Sequence, residues 1–398
     1  MSLKTKHLLQ KLCSIVYYTG VGDFWFQNQY LDTLVYKAYM CISFSIYTAM
    51  IFLENLAAFC GNFPAVEKNS AVMFATIHNI VLVKMFLLIY HSKSVRKLNH
   101  DMAVVGVNME ERRVMTSQYR RAKYGILLYV VSVYLSLLAY GVESARKSIV
   151  EGAPFYTVVT YLPHYEDESI TATVFRVFFY FTWLYMMLPM MAADCVPITH
   201  VIALSYKFET LCGHYKNIRV QYDHNVFIMD KKAAAATLKT GCLEGIKIHQ
   251  DLLKLCAEVA RVFGVIMSLQ VCESSAVAVL LLLRMAKSPH HDLTNAFMTY
   301  TFVSSLFLLL ALILWNAGEI TYQASLLSNE MFNCGWHLPA LEHPSHRDIR
   351  QLVLIASAQA QKPLILKAFG VQDLSYSTFV SVARMTYSIF AVFYKREM

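Results

Sequence analysis

The sequence predicts an all-α, seven-transmembrane helical bundle with inverted topology, the N-terminus cytoplasmic and the C-terminus extracellular, carrying a helical cytoplasmic anchor domain. Three observations predict it. Seven apolar stretches each approach the ~20 residues that a helix needs to cross ~30 Å of hydrocarbon. Positive charge is concentrated in alternate connections, as the tendency of Lys and Arg to stay cytoplasmic requires. Two amphipathic stretches lie between the spans, too polar to cross a bilayer but with apolar faces to bury.

The elements follow in order. Residues 1–33 form a cytoplasmic segment with Lys4, Lys6 and Lys11. Its apolar run Leu12–Tyr18 is too short for a span and lacks the small-residue cleavage site of a signal peptide. Spans are read at Leu34–Ala58, Ser70–Tyr90, Lys123–Val142 and Thr171–Pro197, within a ligand-binding bundle of residues 34–197. The connection after the second span carries Lys93, Arg96, Lys97, Arg112, Arg113, Arg120 and Arg121, whereas the one after the first carries only Lys68. The second connection is therefore inside, and so is the N-terminus. The third connection, Glu143–Ile170, is outside; Gly152-Ala153-Pro154 and Leu162-Pro163-His164 break helix there. It is read either as a lid over the spans or as a solvated loop.

Residues 198–257 hold the first anchor helices. Leu243, Ile246, Gln250, Leu253 and Ala257 recur at helical spacing, which predicts a long helix running unbroken into the fifth span. Residues 258–317 carry the fifth and sixth spans, read at Ala257–Leu283 and Asn295–Ala317. Residues 318–373 form a second anchor segment, where Ile349, Leu352, Val353, Ile355 and Ala356 make an apolar face. Residues 374–398 form the seventh span, Leu374–Tyr394, which nearly ends the chain.

Composition agrees with this architecture. Of 398 residues, 57% are hydrophobic and only 16% charged, against ~25% charged in a soluble domain. The net charge of +8 sits in loops facing an anionic leaflet, so it is not read as nucleic-acid affinity. The nine cysteines contain no CxxC pair, which argues against a zinc site or disulfide scaffold. No Gly-rich phosphate loop, HExxH or GxSxG motif occurs, so no enzyme activity and no cofactor are expected.

Polar groups inside a membrane helix are costly and default to functional candidates. Gln270, Glu273 and Ser274 share one face of the fifth span, where Glu273 is expected to pair with Arg176 or to be protonated. His78 and Asn79 lie in the outer half of the second span; Lys84, nearer its inner end, is expected to snorkel. Aromatic residues are dense in the outer half of the bundle, a pattern suited to an apolar pocket with a few orienting polar groups.

The C-terminal residues carry a family likeness. The stretch Gln361-Lys362-Pro363-Leu364-Ile365-Leu366-Lys367-Ala368, then Leu374-Ser375 and Thr378-Phe379, then Thr386-Tyr387-Ser388-Ile389-Phe390-Ala391-Val392-Phe393, closely resembles the closing signature of insect odorant receptors, in a moth-like style. Gustatory receptors share the fold but end in Gln-Phe, which Val392-Phe393-Tyr394 lacks.

The resemblance implies a ligand-gated, non-selective cation channel, tetrameric around a pore lined by the seventh helix, in the plasma membrane of olfactory sensory neurons. It implies a tuning subunit assembled with a shared co-receptor, whose additional large inner insertion this chain lacks. It implies a pocket for a small volatile apolar ligand in the outer half of the bundle. By depth and helical face the pocket candidates are Met73, Phe74, Ile77, His78, Tyr134, Leu137, Leu138, Phe179, Trp183, Ser275, Val279 and Tyr300. Phe390, Phe393 and Tyr394 are the gate candidates, closing by dewetting. Arg384 either faces the conduit or points into the anchor packing. Two other readings stay open: a gustatory channel, and a proton-coupled secondary transporter using Glu273 and His78, although no inverted repeat supports it.

Overall fold

The computed structural model describes residues 4–27, 33–157, 159–228, 231–287, 293–337 and 347–397. The helices are α1 (Thr5–Tyr18), α2 (Leu34–Cys60), α3 (Ala65–Tyr90), α4 (Ser92–Val104), α5 (Arg112–Val150), α6 (Ile170–Ile228), α7 (Lys231–Lys287), α8 (Leu293–Phe332), α9 (Arg347–Ala360) and α10 (Tyr376–Glu397). A two-stranded antiparallel hairpin, β1 (Lys367–Ala368) and β2 (Gln372–Asp373), precedes α10.

Among the described residues six helices, α2, α3 and α5 to α8, are long and apolar enough to cross a membrane. Their outer surfaces are apolar too: Phe52, Phe86, Leu128, Val131 and Phe181 are all exposed. In water such a surface would be a liability; in lipid it is the solvent-facing side. The seventh expected span is α10, a helix of 22 residues. Ser377, Thr378, Ser381, Arg384, Thr386 and Ser388 make it more polar than the other six.

Helix α6 is the axis of the bundle. From Met186 to Leu211 every residue is buried except Leu188 and Glu209. Pro197, where the sequence reading ends the fourth span, does not end the helix. Proline removes the one backbone donor that the Ala193 carbonyl would accept from, and two side chains just beyond it add hydrogen bonds to carbonyls of the same turn. Thr199 Oγ1 donates to the Cys195 carbonyl at 2.8 Å, and His200 Nδ1 donates to the Val196 carbonyl at 2.8 Å. Helix α7 carries the amphipathic stretch into the fifth span without a break, as the spacing predicts.

The end of the bundle that carries α1 is pinned by buried polar contacts. Lys207 of α6 meets Glu110, before α5, at 2.7 Å, and both side chains are buried. Glu110 also accepts from the Thr5 N–H at 3.3 Å, placing a carboxylate at the positive end of α1. Helix α9 packs on α7 and α8. The hairpin turn has positive φ at both Phe369 and Gly370 and is closed by Val371 N–H to the Ala368 carbonyl at 3.2 Å. It rests on α7 and redirects the chain into α10, which packs on α7 and α8.

The connection between α5 and α6 folds over the opposite end of the bundle, with Phe155 and Val159 buried. Tyr161 N–H donates to the Leu53 carbonyl at 3.1 Å. Arg176 donates to the His164 carbonyl at 2.9 Å and lies 4.3 Å from the Tyr156 ring centroid.

Candidate ligand cavity

Four helices each turn one face toward a common cavity of about 60 Å³. From α3 come Phe74, Ile77, His78 and Val81; from α5, Tyr129, Val133, Ser136 and Leu137. From α6 come Trp183, Met187, Met190, Met191 and Asp194; from α8, Phe302, Ser305, Leu306 and Leu309. Every set follows the three- and four-residue spacing of a single helical face. Glu273 of α7 completes the wall. One water needs roughly 10–15 Å³ on this scale, so the space suits a few waters or a small organic molecule after side-chain adjustment.

The upper wall is aromatic. Phe74 meets Trp183 edge-on at 5.3 Å and stacks with Phe302 at 6.1 Å. The polar contact there fixes a tautomer. Trp183 Nε1 can only donate, and it lies 3.1 Å from His78 Nε2. His78 Nε2 therefore accepts, and Nδ1 carries the proton, which it donates to Glu54 Oε2 at 2.5 Å. His78 is thus a hydrogen-bonded bridge between α2, α3 and α6.

The floor is ionic. Lys84 Nζ lies 2.9 Å from both Asp194 Oδ1 and Glu273 Oε2 and donates to Gln270 Oε1 at 2.5 Å. Tyr129 OH donates to Asp194 Oδ2 at 3.1 Å, and Gln270 Nε2 donates to Ser274 Oγ at 3.1 Å. The cluster ties α3, α5, α6 and α7 together. Two expectations fail here. Lys84 does not snorkel: its side chain is 1% exposed because two carboxylates meet it within the bundle. Glu273 pairs with Lys84 and not with Arg176, whose guanidinium is taken up by loop carbonyls.

Of the sequence-read pocket residues, the structure brings Phe74, Ile77, His78, Leu137 and Trp183 into this wall. Met73 is buried but outside it. Tyr134 is half-buried, with its hydroxyl donating to the Leu184 carbonyl at 3.2 Å. Phe179 is half-buried beside Phe175 and Phe178, Ser275 bonds back to the Val271 carbonyl, and Val279 is half-buried. Leu138 and Tyr300 are 51% and 56% exposed on the outside of the bundle. Glu54, Ser136, Asp194 and the methionines of α6 are not among the sequence-read pocket residues; stepping along the Trp183 face by three and four residues leads through Met187, Met190 and Met191 to Asp194, whereas Glu54 and Ser136 lie on other helices.

A second cavity, of about 250 Å³, lies under the α5–α6 connection. Ser70, Tyr140, Glu143 and Lys147 line it with Tyr156, Tyr165 and Met298, and Phe74 belongs to both cavities. Phe390 is half-buried on α10; the side chains of Phe393 and Tyr394 lie outside the described residues. Among the described residues no three His, Cys, Asp or Glu side chains are grouped to hold a metal ion.

Comparison with known proteins places this architecture. The family model described as 7tm Odorant receptor matches residues 65–387. No curated protein matches the chain. Among solved structures, the insect olfactory receptor OR5 from Machilis hrabei in complex with eugenol aligns with a TM-score of 0.77 at 13% identity, over 96% of each chain. A second structure of that receptor aligns at 0.76 and 12% identity, over 97% of each chain. At such identity the structural likeness is one of fold. The family match covers most of the chain, and the protein belongs to the odorant receptor family, multi-pass membrane receptors of olfaction and not enzymes.

Proposed function

We propose that the chain is the odorant-tuned subunit of a ligand-gated, non-selective cation channel, and that a small volatile apolar molecule binds in the cavity between α3 and α5 to α8. The observation that carries the reading is the cavity itself: an aromatic and aliphatic chamber inside a membrane bundle, with few polar groups at fixed positions. Phe74, Ile77, His78, Leu137 and Trp183 are its proposed contacts. Met73, Tyr134, Leu138, Phe179, Ser275, Val279 and Tyr300 lie outside its wall, and any effect they have on ligand preference is indirect. The Machilis hrabei receptor of the same fold was solved in complex with eugenol, a small organic ligand.

The channel part of the proposal rests on α10. A helix with water on one side need not be apolar all round, which suits its hydroxyl-rich sequence. Its Val380, Met385, Tyr387 and Val392 are exposed in the single chain and would be covered in a tetramer. Phe390, Phe393 and Tyr394 are the proposed apolar gate. Residues 198–257, the inner half of α6 with the first half of α7, and residues 318–373, the end of α8 with α9, form the proposed anchor between subunits. The partner is a co-receptor, the membrane is that of an olfactory sensory neuron, and the N-terminus is cytoplasmic.

The test is two-electrode voltage clamp on oocytes expressing the chain with and without an insect odorant co-receptor, against a panel of volatiles. Odorant-evoked, weakly selective cation current in the pair alone is the expected result. Current from this chain alone would remove the co-receptor from the proposal. Silence in both, with surface expression verified, would overturn it.

A further inference from the structure

The cavity's hydrogen-bonding groups are unequally free. Every donor but one is already committed within the protein. Trp183 Nε1 donates to His78, and His78 Nδ1 donates to Glu54. Tyr129 OH donates to Asp194, and Ser305 Oγ donates to the Phe302 carbonyl at 2.7 Å. Lys84 is held by Asp194, Gln270 and Glu273. The carboxylates are in the opposite position. An ionised carboxylate offers about four lone-pair sites, and Asp194 and Glu273 both reach the cavity wall after meeting Lys84 and Tyr129. Two carboxylates meet one ammonium here, so the cluster holds more acceptor oxygen than its own donors use. The exception among donors is Ser136, whose buried Oγ has no protein partner and can give or take a hydrogen bond.

We infer that the cavity selects ligands that donate a hydrogen bond, namely hydroxyl and amino compounds, over ethers, esters and aldehydes of the same shape. This rests on the cavity being the odorant site. A hydroxyl or ammonium hydrogen entering beside Met190 and Leu306 meets carboxylate oxygen, a charge-assisted contact in a dry site. An ether oxygen in the same place meets acceptors only. It is desolvated without a partner unless Ser136 turns to it, a penalty equivalent to roughly tenfold to a hundredfold in potency. The selectivity is thus set at the floor of the cavity and the shape preference at its aromatic upper wall.

The experiment measures half-maximal concentrations in oocytes co-expressing the co-receptor, using matched sets: a medium-chain alcohol, its methyl ether, the corresponding aldehyde and primary amine, and a phenol with its methyl ether. Alcohol, amine and phenol are expected to be about tenfold or more potent than their partners. Glu273→Gln places a donor in the wall and is expected to shrink that gap. Ser136→Ala removes the free donor and is expected to widen it. The wild-type series decides the matter even if neither variant reaches the surface. Ethers and aldehydes as potent as the alcohol would overturn the inference while leaving an odorant-gated channel standing. Silence to every compound would overturn the functional reading beneath it.

Discussion

Replacing Lys84 by methionine removes a charge while nearly keeping the volume, so it isolates the ionic floor from packing. The lysine is 1% exposed, and its ammonium lies 2.9 Å from each of two carboxylates that are themselves buried. Without it, Asp194 and Glu273 face each other with no cation between them. Breaking a buried pair from one side costs about 3–5 kcal/mol, because the orphaned charge stays desolvated. The methyl-for-ammonium change itself costs no more than ~1.5 kcal/mol as a volume-conserving swap. A loss of ~3 kcal/mol lowers the folded-to-unfolded ratio by about two orders of magnitude. Lys84→Met is therefore expected to lower the melting temperature and surface level of a fluorescent fusion, followed by size-exclusion chromatography after heating. The triple variant Lys84→Met, Asp194→Asn, Glu273→Gln has no orphaned charge and is expected to recover most of the loss. Wild-type melting of Lys84→Met would refute the reasoning, since the lysine would then reach water. A triple variant no better than the single one would refute it differently, by making packing and not charge the cause.

Other expectations follow from the same geometry. A Cβ on Gly141 would collide with the Tyr180 hydroxyl, which donates to the Leu137 carbonyl, so Gly141→Ala is expected to cost about 1–3 kcal/mol by overpacking. Adding Tyr180→Phe should restore part of that in a thermal melt; unchanged melting of Gly141→Ala would contradict the close approach of α5 and α6. Cys60 is exposed at the end of α2, whereas Cys13 is buried and its thiol is pushed up to about 12, chiefly by burial. A membrane-impermeant maleimide applied to intact cells is expected to label the protein, and Cys60→Ser to abolish the labelling; persistence of the label in Cys60→Ser, or its absence in the wild type, would count against a cytoplasmic N-terminus.

The helices were legible because each has a physical signature that needs no tertiary context. Uniform apolarity over a bilayer's thickness gives α2, α3 and α5 to α8, and the Leu243–Ala257 spacing gives the continuity of α7. Pro197 shows where local rules stop. Its missing N–H is a helix-ending signal in isolation, but α6 passes through it because the surrounding helices bury the turn on every side. The family likeness of the last residues extends the reading to function, which no periodicity could reach.

The site was legible in part, for a reason that the geometry makes plain. Residues one position apart on a helix differ by ~100° in direction, so a face is right only when both depth and rotation are right. On α3 they were: Phe74, Ile77 and His78 share the face that reaches the cavity. On α5 the expected Leu137 reaches the wall, whereas Tyr134 and Leu138 each lie one position past a wall residue, Val133 and Leu137, which turns Leu138 to the exterior. On α8 Tyr300 turns outward and Phe302 inward. Charge was harder still. Lys84, Asp194 and Glu273 lie on three different helices, far apart along the chain, and no local rule associates them with one another. A lone lysine near a membrane surface is cheaply explained by snorkelling. Only the packing of α3, α6 and α7 brings the three side chains to 2.9 Å contacts. Burial then turns three separately unremarkable residues into the floor of the chamber, and makes the polarity of that floor a property of the fold rather than of any one helix.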